Sequence, residues 1–164
     1  MRRPTLALIP VVVIALVAAG CGSSKKTSTT STTASKPAST ARTSTVAVKH
    51  TGLGTILVDS SGRTLYLFEK DKGDKSACSG ACAAAWPPLT TTAKPTTATG
   101  VTASLLGTTK RAAGKTEVTY HGHPLYTYVG DGAPGQTSGE GLNQFGAEWY
   151  VLSPQGNKVE KSGS

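Results

Sequence analysis

Hydrophobic and polar residues are distributed very unevenly along this chain of 164 residues. An apolar run at residues 6–19 is followed by a polar stretch in which 15 of the 24 residues from 22 to 45 are Ser or Thr. Beyond it, short apolar runs separated by Gly- and Pro-containing turns are typical of β-strands, most clearly at Thr55–Val58 and Thr116–Tyr120. The pattern predicts one mainly β domain, with a small α+β fold as the variant, over residues 50–164.

The polar stretch lacks the residues that build a core. All nine aromatic residues of the chain lie between Tyr66 and Tyr150, and no acid occurs before residue 50. Such a segment cannot bury enough apolar surface to offset the entropy of ordering, so residues 21–49 are predicted to be a disordered linker. The linker contains five positive charges, which either keep it soluble or lie on an anionic membrane leaflet. These charges are Lys25, Lys26, Lys36, Arg42 and Lys49.

The first 20 residues have the layout of a secretory signal peptide. Arg2 and Arg3 precede the apolar run, which is too short to span a bilayer as a stable helix and ends in small residues. The segment Ala-Ala-Gly before Cys21 resembles a bacterial lipobox, in which the Cys thiol receives diacylglycerol and becomes the first residue of the mature chain. Cys21 is therefore predicted to hold the protein on the extracytoplasmic face of the cell membrane. The alternatives are an ordinary cleaved signal with an unmodified Cys21 and an uncleaved anchor.

The formal net charge of +8 does not indicate a nucleic-acid partner. Seven of the positive charges lie in the first 49 residues, and residues 50–164 contain ten basic and nine acidic side chains. A nearly neutral domain lacks the positive surface that phosphate backbones require. We therefore expect the membrane, through the lipid anchor, and an envelope ligand or protein as partners, and no nucleic acid.

The domain contains an internal repeat with an offset of 60 residues. Residues 62–71 align without a gap on residues 122–131 and share with them a Gly, a Leu-Tyr pair, an aromatic residue and an Asp. Each copy follows a strand-like run and a short turn, which predicts a β-hairpin, and each is followed by a loop and a Trp, Trp86 or Trp149. We predict two pseudo-repeats, each a hairpin, a loop and a Trp-bearing closing segment. They cover about residues 52–89 and 108–157.

The repeated motif is Tyr-x-(aromatic)-x-x-Asp. Its residues are Tyr66, Phe68 and Asp71 in the first copy and Tyr126, Tyr128 and Asp131 in the second. The doubled motif resembles the bacterial secreted-repeat lipoproteins that carry a Y-X4-D motif, a family of unknown function. The matching segments around it are residues 78–82, 86–89, 104–108 and 139–150. The resemblance implies export, anchoring and the two-repeat architecture, and it implies no reaction.

Strand geometry favours a structural role for the motif. Side chains at i and i+2 share one face of a strand, whereas the Asp at i+5 has the opposite parity at the strand's end. We expect the motif aromatics to fill the interface between the hairpins and the two Asp to accept N–H groups of the following loops. Trp86 and Trp149 are predicted to anchor the core. In the alternative, the Asp carboxylates or Tyr hydroxyls line a cleft for a cation or glycan, and the Trp rings stack on a ligand.

Cys78 and Cys82 form a close pair in an exported chain, where such pairs are usually oxidised. At i and i+4 of a helical turn, Cα atoms lie about 6 Å apart, within the range that a disulfide tolerates. A structural disulfide is predicted, with a redox-active or metal-binding pair as the alternative. His121 and His123 fall in a turn and at the start of a strand, so their rings need not converge, and neither a metal site nor a cofactor is predicted.

The sequence also contains none of the common catalytic motifs. It has no Gly-x-Ser-x-Gly elbow, no His-Glu-x-x-His and no complete Gly-x-x-x-x-Gly-Lys-Ser/Thr phosphate loop, so an enzyme is not predicted. The favoured function is a lipid-anchored extracytoplasmic binding or envelope-associated interaction module. The alternative is an extracytoplasmic redox or metal-handling accessory protein that uses Cys78 and Cys82.

Overall fold

The computed structural model describes residues 42–160, which form eleven β-strands, one short α-helix and two 3-10 helices. The strands are β1 (Thr45–Thr51), β2 (Gly54–Asp59), β3 (Tyr66–Phe68), β4 (Thr90–Thr91), β5 (Thr96–Thr97), β6 (Leu106–Lys110), β7 (Thr116–Tyr120), β8 (His123–Pro124), β9 (Leu142–Gln144), β10 (Ala147–Leu152) and β11 (Lys158–Val159). Helix α1 covers Ala81–Ala85, and the 3-10 helices cover Ala103–Leu105 and Ala112–Gly114. The predicted mainly β class is confirmed.

The strands are arranged in three small sheets. In the first sheet, β1 pairs antiparallel with β2 and parallel with β5. In the second, β10 pairs antiparallel with β3, β9 and β11. In the third, β7 pairs antiparallel with β4, β6 and β8. The two motif copies lie where the second and third sheets meet, because a backbone bridge joins Tyr66 to Tyr126.

The hairpins of the two repeats are shorter than the sequence predicts. In the first repeat, Val58 bridges Thr64, and the N–H of Leu65 donates to the Leu57 carbonyl at 3.0 Å. The chain then leaves β2, and the motif residues enter β3. In the second repeat, β7 and β8 pair over only two residue positions. The strand pairing of Tyr66, Phe68 and Tyr126 therefore lies outside their own hairpin.

Each Trp-bearing closing segment pairs with the motif of the other repeat. Phe68 of the first motif lies opposite Trp149 in the pairing of β3 with β10. In the second motif, Tyr126 forms a bridge with Pro88, two residues beyond the first Trp. The two repeats are therefore interlocked through their backbones.

The core consists of two buried clusters, and the central strands contribute to both. Alternate residues of β2 and β3 point into opposite clusters, as the two-residue period of a strand requires. The first cluster is mostly aromatic and contains Ile56, Val58, Tyr66, Phe68, Cys78, Cys82, Trp86, Tyr126, Trp149 and Val151. The second is mostly aliphatic and contains Val46, Leu57, Leu65, Leu67, Val118, Tyr120, Leu125 and Leu152. The aromatic cluster contains motif residues of both repeats, so the candidate functional site is described around this cluster.

The folded domain begins earlier than the sequence predicts. Residues 45–49, which the sequence analysis assigns to the linker, belong to β1, and Val46 is fully buried. The prediction was wrong here because composition describes a segment as a whole, whereas this strand gains its stability from pairing with β2 along its length. The predicted signal peptide, Cys21 and the rest of the predicted linker, at residues 1–41, lie outside the described residues.

Candidate functional site

Each motif Tyr donates a hydrogen bond to the motif Asp of the other repeat. The hydroxyl of Tyr66 lies 2.7 Å from Asp131 Oδ2, and the hydroxyl of Tyr126 lies 2.8 Å from Asp71 Oδ2. Both tyrosines are fully buried. Burial raises the pKa of each hydroxyl well above its ordinary value. The two Tyr hydroxyls therefore stay protonated and act as donors, and the contacts are reciprocal across the repeats.

The same carboxylates also hold their own loops. Oδ1 of Asp71 accepts the N–H of Ala77 at 2.7 Å, and Oδ1 of Asp131 accepts the N–H of Ser138 at 2.9 Å. Burial raises the pKa of Asp71, although the N–H of Ala77 and a Tyr hydroxyl act in the opposite direction. The loop contacts are those that the turn chemistry of Asp suggested. The cross-repeat contacts escaped the sequence analysis, because they join residues 65 and 55 positions apart.

Four aromatic rings stack in the order Phe68, Trp149, Trp86 and Tyr128. Their successive centroids are 4.1, 3.9 and 4.2 Å apart, with interplanar angles of 7°, 5° and 26°. The order alternates between the first and second repeat. Stacked rings at these distances contribute about 0.5–1.5 kcal/mol per pair beyond their burial. The stack therefore joins the two repeats through side chains.

The two motif tyrosines pack edge-on against the central rings. Tyr66 contacts Trp86 at 5.3 Å, and Tyr126 contacts Trp149 at 5.1 Å. Both indole N–H groups donate to Gln144, one to its side-chain oxygen at 3.0 Å and one to its carbonyl at 3.2 Å. Since each Trp has a ring on both faces and a partner for its N–H, neither is available to stack on a ligand. The alternative role for Trp86 and Trp149 is therefore wrong.

Arg111 connects this core to a polar network that the sequence analysis missed. Its guanidinium donates to the hydroxyl of Ser76 at 2.6 Å, to Oε2 of Glu117 at 2.7 Å, and to the carbonyl of Cys78. The hydroxyls of Ser76 and Tyr126 are 2.6 Å apart, which extends the network to the cross-repeat contacts. In the sequence, the one feature that could have indicated the Arg111–Glu117 pair is their six-residue separation around a turn.

Glu117 is a fully buried acid on β7. Burial raises its pKa to about 7, although the guanidinium of Arg111 favours the charged form. Within residues 42–160, its Oε1 atom has no hydrogen-bond partner. The carboxyl group of Glu117 lies 2.7 Å from the guanidinium of Arg111 inside the domain, so this contact positions the loop of Arg111.

Cys78 and Cys82 form a disulfide, with an Sγ–Sγ distance of 1.98 Å and a Cα–Cα distance of 5.3 Å. The predicted disulfide is confirmed. Its setting differs from the prediction in one respect: α1 begins at Ala81, so Cys78 precedes the helix instead of sharing a helical turn. The two residues are 1% and 6% exposed. Thiol exchange requires access to a sulfur, and this burial opposes it.

His121 and His123 lie at the turn and the strand start where the sequence placed them. His121 has a positive φ of 50°, and its Nδ1 is 3.3 Å from the carbonyl of Gly156. His123 opens β8, and burial lowers the pKa of its imidazole. Both line a cleft of about 500 Å³ together with Asp71. In the described part of the chain, no three His, Cys, Asp or Glu side chains gather in an arrangement that would hold a metal ion.

Two other clefts carry positive charge. The first, of about 410 Å³, is lined by Lys75, Lys110, Arg111 and Lys115. The second, of about 440 Å³, adjoins it through Lys115 and is also lined by Arg42. Among residues 42–160, no carboxylate lines either cleft. We call these five residues the cationic face. The sequence analysis missed it because the near-neutral sum of charges conceals how they cluster in space.

Comparison with known proteins identifies two repeats in the chain. Residues 47–90 and 107–153 each match the profile of a family described as a secreted repeat of unknown function. Neither a curated protein nor a solved structure matches the chain. No helix within the described range combines the length and apolarity needed to cross a bilayer. Because the matched segments make up more than half of the chain, the protein belongs to this family of secreted repeats.

Proposed function

We propose that the protein is a lipid-anchored extracytoplasmic binding module, in which the two repeats form a scaffold and the surface outside the motif contacts the partner. The observation that carries this proposal is the reciprocal pair of Tyr–Asp hydrogen bonds. The hydroxyls and carboxylates of the motif form hydrogen bonds with each other inside the domain, so we expect other side chains to contact the partner. The family's description as secreted supports export.

The lipid anchor is supported by the lipobox-like segment that ends at Cys21. Cys21→Ser is expected to release the domain into the medium or to leave an unprocessed precursor, because this thiol is the proposed attachment point. Membrane fractionation and the intact mass of the product measure the effect. Ser23→Ala is the matched control and should stay in the membrane fraction. A mature parent chain without a diacylglyceryl mass increment would exclude the anchor.

The scaffold role is tested by separating folding from binding. The exported chain is incubated with purified envelope fractions, and its retention is measured for the parent and for Asp131→Asn well below the melting temperature of either. Because Asp131 is proposed to hold the repeats together rather than to touch a partner, both proteins should be retained equally. A folded Asp131→Asn variant that is no longer retained would make the motif the binding site and overturn the proposal.

The redox alternative gains no support from the burial of Cys78 and Cys82. For a structural bond, a thiol count on the folded protein should find no free thiol from this pair under mild reductant, and two after unfolding. Facile reduction of this disulfide in the folded protein would instead favour a redox function. The metal-handling version predicts a rise in melting temperature with one particular transition-metal ion, which we do not expect.

A further inference from the structure

We infer that the cationic face docks onto the phosphate headgroups of the anionic leaflet to which the chain is anchored. This inference rests on the proposed function, since it requires the anchor at Cys21, and it names the partner of the module's surface. Three features of the molecule support it: the distribution of charge, the way in which the loops are fixed, and the place where the chain enters the domain.

The cationic face concentrates charge on a domain that is nearly neutral. Residues 42–160 contain eleven basic and nine acidic side chains, and five of the basic ones line the two adjoining clefts. Lys75 has a side-chain exposure of 71%, and its only carboxylate neighbour in the described range is the exposed Asp74 at 3.2 Å. Lys110 and Lys115 are exposed and have no ion-pair partner within residues 42–160. Their charges are therefore available to an anionic surface.

The loops that carry these lysines are held to each other inside the domain. Arg111 lies between Lys110 and Lys115 in the chain, and it donates to the Ser76 hydroxyl and the Cys78 carbonyl of the facing loop. Lys75 is fixed by two backbone hydrogen bonds of 3.1 Å with Lys72. A charged surface that is ordered before it binds loses less entropy on docking. Arg111 is a positioning residue here, because its guanidinium is held inside the domain by Ser76, Cys78 and Glu117.

The chain enters the domain at this same face. The N–H of Arg42 donates to the Thr92 hydroxyl at 2.6 Å, and the N–H of Thr92 donates to the Arg42 carbonyl at 3.0 Å. Thr92 lines the second cleft. Twenty residues separate Cys21 from Arg42 in the sequence, so a lipid on Cys21 tethers this end of the domain to the leaflet. Tethering raises the effective concentration of a surface, which makes even a weak electrostatic contact significant.

The test uses the exported chain from residue 21 carrying Cys21→Ser, so that no acyl chain contributes. Binding to vesicles of phosphatidylcholine, with and without phosphatidylglycerol, is measured by cosedimentation at low and high salt. The face variant carries Lys75→Gln, Lys110→Gln and Lys115→Gln. The matched control loses the same charge from the linker, through Lys25→Gln, Lys26→Gln and Lys36→Gln. Melting temperatures establish that both variants are folded.

We expect binding only to the anionic vesicles, with loss at high salt because these charges are exposed. The face variant should bind on the order of a hundredfold more weakly, about fivefold for each lysine removed, and the linker variant less than tenfold more weakly. A face variant that binds like the parent, or that loses no more than the linker variant, would overturn the inference. A parent protein that does not bind anionic vesicles but binds a soluble anionic polysaccharide would also overturn the inference. Neither result depends on acylation of Cys21, so failure here and failure of the anchor are separate findings.

Discussion

Tyr66 and Asp131 are 65 positions apart in the chain, and a hydrogen bond of 2.7 Å joins the Tyr hydroxyl to the Asp carboxylate. The equivalent bond from Tyr126 to Asp71 runs in the opposite direction between the repeats. Each repeat thus supplies the acceptor for the other's buried hydroxyl. We therefore interpret the repeat motif as a device that joins the two halves of one domain.

Removing a motif hydroxyl tests this interpretation most directly. Tyr66→Phe is expected to lower the free energy of unfolding by about 1–3 kcal/mol, because it leaves a partly buried carboxylate oxygen of Asp131 without its donor. Tyr66→Ala should cost about 3 kcal/mol or more, since it also removes a buried ring. Urea unfolding measures both. The same pair of results is expected at Tyr126.

Tyr150→Phe is the control for these variants. Its hydroxyl donates to Glu148 at 2.6 Å within the same repeat, and we expect the unfolding midpoint to stay nearly unchanged. Unchanged midpoints for the Phe and Ala variants at both motif positions, together with a loss of binding, would instead place the motif tyrosines in a ligand site.

Substitution of the motif carboxylates distinguishes a hydrogen-bonding role from cation binding. Asp71→Asn and Asp131→Asn each keep one acceptor oxygen for the loop N–H but replace the oxygen that accepts the Tyr hydroxyl with an NH2 group, so each should cost about 0.5–1.5 kcal/mol. The Ala variants leave those donors unpaired and should cost about 1–3 kcal/mol where the donors are buried. Thermal melts with and without divalent cations measure the difference. A parent whose melting temperature rises with one ion, beside a double Asn variant that does not respond, would favour the cation site.

Gly139, in the loop of the second repeat, lies against aromatic rings of the first repeat. An added Cβ would lie 2.7 Å from Cη2 of Trp86 and 3.0 Å from Cε1 of Tyr66. Gly139→Ala is therefore expected to destabilise the domain by about 1–3 kcal/mol through overpacking. Gly132→Ala, in the same loop, is the matched control, because its Cβ would meet only the Gln136 side chain at 3.6 Å. Equal urea midpoints for the two variants would contradict the packing described here.

The buried Glu117 gives the stability a pH dependence of defined sign. Its pKa is about 7 in the folded protein, against an ordinary value of 4.5, so the unfolded chain releases the proton first. This contribution is fully present below pH 4.5 and is lost as the pH rises through about 7. We therefore expect the parent to lose stability relative to Glu117→Gln over this window, as measured by urea unfolding at a series of pH values.

The comparison with Glu117→Gln isolates this effect from that of His123. Burial lowers the pKa of His123, so its contribution has the opposite sign and is lost as the pH falls. His123 is present in both proteins and cancels in the difference. Arg111 and Tyr126 interact with Glu117, but the pKa of each is raised and both stay protonated over this window. A difference that does not change between acid and neutral pH would show that Glu117 titrates at its ordinary value.

The sequence alone determined the features that depend on local pattern. The doubled motif, its hairpin turns and the two Trp positions follow from periodicity and turn residues, which act over a few neighbouring positions. The disulfide between Cys78 and Cys82 followed from spacing and from the oxidising compartment. The loop contacts of Asp71 and Asp131 followed from ordinary turn chemistry.

The tertiary structure decided which distant segments meet. The chain pattern is equally compatible with two self-contained hairpins. The packing of Trp86 against Trp149 and the reciprocal Tyr–Asp hydrogen bonds explain why each closing segment pairs with the other repeat. β1 escaped prediction because its partner strand, and not its composition, stabilises it. The burial of Glu117 and the clustering of Lys75 with Lys115 arise from side chains brought together across loops. Because such contacts join residues at no fixed spacing along the chain, no local sequence pattern predicts them.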